Sequence, residues 1–308
     1  MNDVVRSFTE ALQHQFGAPS GLRRVLDSVK VFTGGPLEPK RSIDAESVVR
    51  WNDLGDDFHT WPRLERGRLR GWHWSGGHYE STAIYRPEYA ALVSVEVIDR
   101  WHCDISELDG FTSSKSVLAN FHSTDEMVET NSKEMIDRID AAKLAENLAH
   151  DEIRILHRDD PSDHFMRFAW DGRLFLANDG GSHHLAAAKY IAKRLGTPVD
   201  LRARLYTYSL NAEAVEPLCR DFDMMVVDDS PEVWCGIHDA LQAFRATWFH
   251  HKLPRHAGGH MVILLPTSEP RSRKVAIELR SAGAPSLNDL FNDLLGRQAE
   301  QLAAWSTS

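Results

Sequence analysis

The chain contains little cysteine. Only Cys103, Cys219 and Cys235 occur in 308 residues. They are widely separated, so they form neither a paired metal-binding motif nor the even set of a disulfide framework. No apolar run approaches the ~20 residues that a membrane-spanning helix needs, and the first residues contain no apolar signal segment. These absences predict a protein of the reducing cytoplasm without membrane insertion.

Positive charge is also scarce. There are 35 Lys and Arg residues against 45 Asp and Glu, a net charge of −10. This balance argues against a protein whose main task is to coat DNA. The arginines between Arg63 and Arg70 are interpreted as a solvated face, with a phosphate-binding patch as the alternative. A hydrophobic content of 42% is that of a globular protein.

The strongest local signals lie between residues 165 and 207. Two apolar runs, 165–170 and 173–177, are separated by Asp171-Gly172. This pair favours a type I′ turn, so the sequence predicts an antiparallel hairpin closed by a two-residue turn. Apolar residues then recur at helical spacing up to Gly196, which predicts a helix over 182–195. The alternation over 199–205 predicts a strand after this helix.

Gly180 and Gly181, here called the glycine elbow, lie between the hairpin and this helix. A glycine turn at a helix start presents backbone N–H groups at the positive end of the helix dipole, which favours phosphate. The sequence therefore predicts a phosphate or nucleotide site at Gly180, Gly181, Ser182, His183 and His184. The alternative is an ordinary helix start, capped by Asp179 or Ser182.

This order of elements resembles the ParB/sulfiredoxin superfamily over about residues 89–216. Gly181-Ser182-His183-His184 stands where that superfamily has a Gly-x-His-Arg or Gly-x-Arg-Arg turn, and three alanines follow. Residues 141–149 correspond to the helix before the hairpin, and 89–100 to the first strand. His184 replaces an arginine, so a mostly neutral ring takes the place of a guanidinium. Ser182 stands where a sulfiredoxin has its cysteine, so thiol chemistry is not expected.

The resemblance implies an α/β (α+β) fold with a small mixed sheet and flanking helices. Members of the superfamily include CTP-using partition proteins, ATP-using reductases, a serine kinase, and plasmid-borne fertility inhibitors with ATPase and nuclease activity. It therefore implies ATP or CTP with Mg²⁺ as cofactor, used by a nucleoside triphosphatase, nuclease or phosphotransferase of a plasmid, phage or bacterial interference system. The elbow and Ser182 would hold the phosphates, and His183 or His184 would be catalytic by stabilising developing charge.

A second hypothesis is a non-catalytic regulator or inhibitor. The loss of the superfamily's arginine at His184 would then have removed the nucleotide, and the tryptophan-rich N-terminal part would bind a protein partner. The partners expected from the two hypotheses are a nucleotide and, beyond it, a nucleic acid or a protein.

Three domains are predicted. Residues 1–88 form a helical and Trp-rich extension, 89–217 the ParB/sulfiredoxin-like domain, and 218–308 a C-terminal α/β unit. In the extension, Phe8, Leu12 and Phe16 mark one helical stripe and residues 22–29 another, while 71–79 is predicted to be a glycine-rich loop. In the C-terminal unit we expect strands at 224–227 and 261–265 and helices at 231–249 and 287–305. Residues 274–279 could pair with the second strand.

Three further clusters have the residue types of a site. The acidic run from Asp221 to Asp229 could hold Mg²⁺, but a helix cap at Asp229 or Ser230 is the preferred interpretation. His250, His251, His256 and His260 could bind zinc, but exposed loop histidines are preferred because no Cys or HExxH frame accompanies them. The metal-binding carboxylate stays unidentified, and no spacing selects one from Asp125, Glu126, Glu129 and Glu134.

Overall fold

The computed structural model describes residues 19–54, 65–158 and 162–306. It is a mixed α/β protein with two five-stranded sheets and helices packed on them, as the sequence predicts. The chain forms two compact units. The first combines the described residues up to Leu37 with those of Arg50–Leu92 and Asn211–Leu295, and the second combines Glu38–Val49, Val93–Leu210 and the described residues from Gly296 onward.

This grouping differs from three consecutive domains, because the N-terminal and C-terminal segments share one sheet. The strands of the first unit's sheet are β1 Arg68–Ser75, β2 His78–Tyr85, β8 Phe222–Val227, β9 Trp248–Lys252 and β10 Met261–Pro266. Their order is β2-β1-β9-β10-β8, and all the pairs are antiparallel. The helices of this unit include Ser20–Ser28, Pro87–Ala90, Ala212–Asp221, Pro231–Phe244 and Pro270–Ser281.

Several predictions for this unit are corrected. Residues 71–79 form no open loop but belong to the β1–β2 hairpin, which turns at Gly76 and Gly77 with φ of 57° and 90°. Residues 274–279 are helical because Val275, Ala276 and Leu279 bury one helical face. The helix predicted over 231–249 ends at Phe244, where Arg245 adopts a left-handed φ of 58° before β9 begins.

Three further elements predicted for the C-terminal part and one for the N-terminal part are confirmed. Strands β8 and β10 contain the predicted runs, and the last helix spans Leu287–Trp305. The second N-terminal stripe lies on the helix Ser20–Ser28, with Leu22 buried. The first stripe, Phe8 to Phe16, lies outside the described residues.

The second unit contains the other sheet, formed by β3 Val93–Asp104, β4 Gly110–Phe111, β5 His164–Phe168, β6 Leu174–Ala177 and β7 Asp200–Leu210 in the order β3-β7-β5-β6-β4. β3 pairs with β7 and β5 with β6 antiparallel, whereas β5–β7 and β4–β6 are parallel. The helices of this unit are Thr124–Asn131, Ala141–Leu148, Arg154–His157 and Ser182–Leu195. Gln298 ends β7 by accepting from Leu210 N–H at 2.7 Å and donating to Leu210 O at 2.9 Å.

The predicted hairpin forms as β5 and β6, but its turn is longer than predicted. Five residues, 169–173, separate the strands, and positive φ occurs at Gly172 alone, at 88°. A type I′ turn needs positive φ at both central positions. Ala169 instead donates its N–H to Tyr208 O at 2.8 Å, and Trp170 is buried. Tertiary packing of these two residues therefore overrides the local turn signal.

The helix Ser182–Leu195 is confirmed with the predicted bounds. It buries Leu185, Ala188 and Ala192 in the core and ends at Gly196, which has a φ of 65°. None of the described helices is long and apolar enough to cross a membrane.

Candidate functional site

The glycine elbow has the sharply turned backbone that the sequence predicts. The glycines are required there for a different reason than the approach of a ligand. Gly180 and Gly181 have φ of 140° and 70°, which favours glycine. A Cβ on Gly181 would lie 2.8 Å from the carbonyl oxygen of Glu152 and 2.9 Å from the nitrogen of Ile153. The close approach at Gly181 is thus made by the protein's own chain.

No side chain caps the helix that begins at Ser182. Asp179 forms an ion pair with Arg154, and Ser182 Oγ donates to Ser114 Oγ at 3.0 Å. The capping alternative is therefore wrong. Among the described residues, the N–H groups of Ser182, His183 and His184 have no hydrogen-bond partner. Orphan donors at a helix start are the groups that bind anions in other proteins.

These N–H groups belong to residues that line a cleft of about 570 Å³. Four chain segments form it, and all lie in the second unit. They are the loop after β4, the end of the helix Thr124–Asn131 with the residues that follow it, the segment around His150 and Glu152, and the elbow with the helix start. The polar residues that line the cleft include Ser113, Ser114, Lys115, Asn131, Ser132, Glu134, His150, Glu152 and Asp179.

The His183 ring is held between two hydroxyl groups. Its Nε2 lies 3.0 Å from Ser116 Oγ and its Nδ1 lies 2.5 Å from Ser132 Oγ. Asn131 Nδ2 donates to Ser116 Oγ at 2.7 Å. A neutral imidazole can donate through one nitrogen and accept through the other, so both ring nitrogens are engaged. His183 therefore fixes two walls of the cleft.

His184 is oriented by a buried amide. Asn147 donates through Nδ2 to two backbone carbonyls, which leaves its Oδ1 to accept from His184 Nδ1 at 3.2 Å. A neutral His184 then carries its proton on Nδ1 and a lone pair on Nε2. Its ring stacks on His150, with centroids 3.7 Å apart and planes at 15°. The Glu152 N–H points to His150 Nδ1 at 3.4 Å.

The environment of both predicted histidines lowers the pKa and so favours the neutral ring. Burial lowers the pKa of His183, and the nearby Lys115 ammonium lowers it further. Burial also lowers the pKa of His184, with an added contribution from His150. An anionic ligand in the cleft would oppose these shifts because it stabilises the protonated rings.

The carboxylates of the cleft are Glu134, Glu152 and Asp179. Of the four candidates between 125 and 134, Glu134 is the one that lines the cleft. Asp125 and Glu129 pair with Arg194 at 3.2 and 3.6 Å, and Glu126 accepts from the N–H of His122.

The acidic run of the first unit has partners within the unit, although Asp228 Oδ1 has no hydrogen bond among the described residues. Asp221 pairs with Arg86 at 2.9 Å and Asp229 with Lys252 at 2.7 Å. Asp228 accepts from the N–H of Thr33 at 2.9 Å. Ser230 accepts from Val233 N–H at 3.3 Å, which confirms the helix-cap interpretation.

The histidine cluster of the first unit is not a set of exposed loop residues. His250 and His251 lie on β9, with His251 buried, and His260 pairs with Asp228 at 3.2 Å. The loop interpretation is therefore wrong for His250 and His251, while His260 lies in a loop but is not exposed. In the part of the chain that the structure describes, no three His, Cys, Asp or Glu side chains are placed to hold a metal ion.

Sequence reasoning missed three parts of the cleft. Ser114 and Lys115 belong to a run of small hydroxyl residues after a short apolar strand, a pattern that could have drawn attention. Asn147 lies within the predicted helix at 141–149 and His150 directly follows it, and neither has a local signal. Their role depends on which side chains the fold brings to His184.

The model of a family of unknown function, DUF6685, matches residues 98–304, so the chain belongs to this family. No curated protein and no solved structure matches the chain.

Proposed function

We propose that the cleft at the glycine elbow binds the phosphates of a nucleoside triphosphate. The observation that carries this proposal is the helix start, where three consecutive N–H groups without a described partner belong to residues lining one polar cleft. Lys115 adds a positive charge to the same cleft, and Ser114 adds a hydroxyl group. Oriented N–H groups, hydroxyls and a cation form the donor set that phosphate oxygens require.

In this proposal Glu134 and Glu152, which both line the cleft, would hold Mg²⁺, since Mg²⁺ prefers one or two protein carboxylates together with phosphate oxygens. Asn147 engages only Nδ1 of His184, so Nε2 of the same ring is left for the ligand. A protonated His184 would stabilise charge that develops on a transferred phosphoryl group. His183 is a positioning residue in this proposal, since its two nitrogens hold Ser116 and Ser132.

The order of elements supports a ParB/sulfiredoxin-like assignment of the second unit as part of this proposal. The hairpin β5–β6 leads into the elbow, the alanine-rich helix follows, and β7 returns parallel to β5. Partition, reductase, kinase and nuclease activities of that superfamily all handle phosphate groups, so the assignment favours a phosphate ligand rather than one reaction.

A second candidate is a regulator that binds the nucleotide without turning it over. The engagement of both His183 nitrogens favours the regulator, because one of the two predicted catalytic rings then holds Ser116 and Ser132 in place. A phosphate-release assay on purified protein with ATP or CTP and Mg²⁺ separates the candidates. Turnover that His184→Gln removes supports an enzyme, and binding without turnover supports the regulator.

The direct test is titration calorimetry with ATP and CTP, each with and without Mg²⁺. Lys115→Ala should weaken binding about tenfold or more, because a hydrogen bond to a charged group contributes ~1.5–3 kcal/mol. Lys193→Ala is the matched control, since Lys193 lies exposed in the last turn of the same helix. Absence of binding by the wild type, or equal losses in both variants, would contradict the proposal.

A further inference from the structure

Another cleft in the same unit has a different character. It measures about 870 Å³, and its lining includes Arg100, Arg158, Arg202 and Arg204 together with Tyr206. The whole chain has a net charge of −10, so four arginines around one cleft are a local departure from the overall charge. We call this region the arginine face.

The strand period of β7 creates this face. Arg202, Arg204 and Tyr206 alternate along β7 with Leu201, Ala203 and Leu205, which are buried in the core. Successive side chains of a strand point to opposite sides of the sheet. The two arginines and the tyrosine therefore share the side of the sheet that faces away from this core.

Neighbouring strands extend the arginine face on both sides. On β3, His102 lies opposite Arg202 and Val97 opposite Tyr206. On the other side, the His164 ring packs edge-on against the Tyr206 ring, with centroids 5.0 Å apart. Val97 is 48% exposed although it is apolar. An aromatic ring flanked by exposed apolar surface thus lies next to the arginines.

A β-bulge brings one further arginine to the cleft. The register of β3 and β7 shifts between Ile98 and Trp101, and Arg100 has a φ of 56°. Residues with a side chain rarely adopt this backbone, and bulges redirect side chains, often beside functional sites. Arg100 is a lining residue of the cleft as a result.

The positive charge of this face is only partly neutralised by described residues. Asp99 pairs with Arg204 at 2.8 Å. Asp163 is 3% exposed, and burial raises its pKa. Arg100 and Arg202 have no ion-pair partner among the described residues.

We propose that the arginine face binds single-stranded nucleic acid, with phosphates at Arg100, Arg202 and Arg204 and a base stacked on Tyr206. A groove of positive charge lined by an aromatic ring is the pattern by which proteins bind single strands. An acidic peptide would use the arginines but would gain nothing from the ring. The negative charge elsewhere on the chain confines a polyanion to this face. This site is separate from the nucleotide cleft and does not depend on the function proposed for it.

The test is fluorescence anisotropy with labelled 20-nucleotide single strands of RNA and of DNA, at 50 and 200 mM salt. The double variant Arg202→Gln/Arg204→Gln should weaken binding at least tenfold and should flatten the dependence of log K on log salt by about 1.4, since each phosphate contact contributes about 0.7. Tyr206→Ala should weaken binding about five- to 100-fold, and Tyr206→Phe should restore it, because stacking needs the ring and not the hydroxyl. The RNA and DNA arms decide which sugar the site accepts.

Arg138→Gln is the control variant, because Arg138 is exposed in the same unit, pairs with Asp140 and does not line the cleft. It should bind like the wild type. Absence of binding at 50 mM salt overturns the proposal, as does an equal loss in Arg138→Gln. A polyglutamate peptide that competes as well as the oligonucleotide would also overturn it, since this result assigns the face to an acidic protein. Circular dichroism of each variant verifies that the fold is retained.

Discussion

The first unit's cluster of acidic and histidine residues resembles the second unit's elbow cleft in composition, since both are rich in groups that could bind metal or phosphate. In the structure they differ in how their hydrogen-bonding capacity is used. Asp228 accepts from Thr33 and pairs with His260, and Asp229 pairs with Lys252. At the elbow, consecutive N–H groups have no described partner.

This difference indicates what marks a candidate site. Residue type alone ranks the first unit's cluster at least as high, because it has more carboxylates and imidazoles. Buried polar groups in proteins are nearly always paired, so groups left unpaired inside a cleft require an explanation. The proposed ligand would explain the elbow, whereas Asp228 Oδ1, which has no hydrogen bond in the cluster, already has the His260 ring 3.2 Å away as an ion-pair partner.

The largest effect that we expect comes from the elbow. Gly181→Val should destabilise the protein by about 3 kcal/mol or more, because it combines a positive φ with a clash against the backbone of residues 152 and 153. Gly196→Ala, at the other end of the same helix, is the control. Gly196 has a similar φ of 65° but open space at its Cβ, so the cost should be about 1 kcal/mol. Urea unfolding measures both, and equal costs would show that the close approach at Gly181 contributes nothing.

In the first unit, Asp228→Ala should cost about 1–3 kcal/mol, because it leaves the donors of Thr33 unpaired. Asp229→Ala, one residue further, removes a surface ion pair with a half-exposed lysine and should cost at most about 1 kcal/mol. Neither variant should change nucleotide binding. A loss of binding in Asp228→Ala would break the distinction between an internally paired cluster and an open cleft.

The pH dependence of stability should further distinguish the elbow cleft from the first unit's cluster. The pKa values of His183 and His184 are lowered by folding, so the native state binds fewer protons than the unfolded chain. Their contribution to stability is therefore fully present above the unfolded value of about 6.5 and declines as the pH falls below it. His184→Gln should lose less stability than the wild type between pH 7.5 and 5.5. An identical loss in both would show that His184 does not contribute to this dependence.

The smallest expected effect concerns metal. The purified protein should contain no stoichiometric zinc, and EDTA should leave its melting temperature unchanged, because His260 pairs with Asp228 and no third ligand is placed beside them among the described residues. Elemental analysis tests this directly. About one zinc per chain that disappears in His260→Ala would move the site from the second unit to the first.

The sequence predicts much of the local architecture. The helix Ser182–Leu195 follows from its apolar spacing and from Gly196, and the β5–β6 hairpin follows from two apolar runs. The prediction of a two-residue turn at Asp171-Gly172 is wrong because the N–H of Ala169 donates to Tyr208 O of β7. This contact joins residues far apart in sequence. The β1–β2 hairpin escapes prediction because its tryptophans and glycines are typical of a loop and obscure its alternation.

The candidate site also has a part that the sequence predicts and a part that it does not. The glycines and the helix start are visible locally, so their part of the site is predictable. The hydroxyls that hold His183 and the amide that orients His184 come from segments 37 to 67 residues away. Only the folded chain brings them together, and in the proposed function they make His183 a positioning residue rather than a catalytic one.

The bonds between Gln298 and Leu210 have a consequence for synthesis. They satisfy both backbone groups of the last residue of β7 from a side chain 88 positions further along the chain. During translation, β7 leaves the ribosome long before its cap exists. The two backbone groups at the end of β7 must therefore remain hydrated, or be bound by a chaperone, for the seconds needed to add those residues. A premature stop between 211 and 297 would leave that strand end permanently open and give the truncated product a frayed sheet.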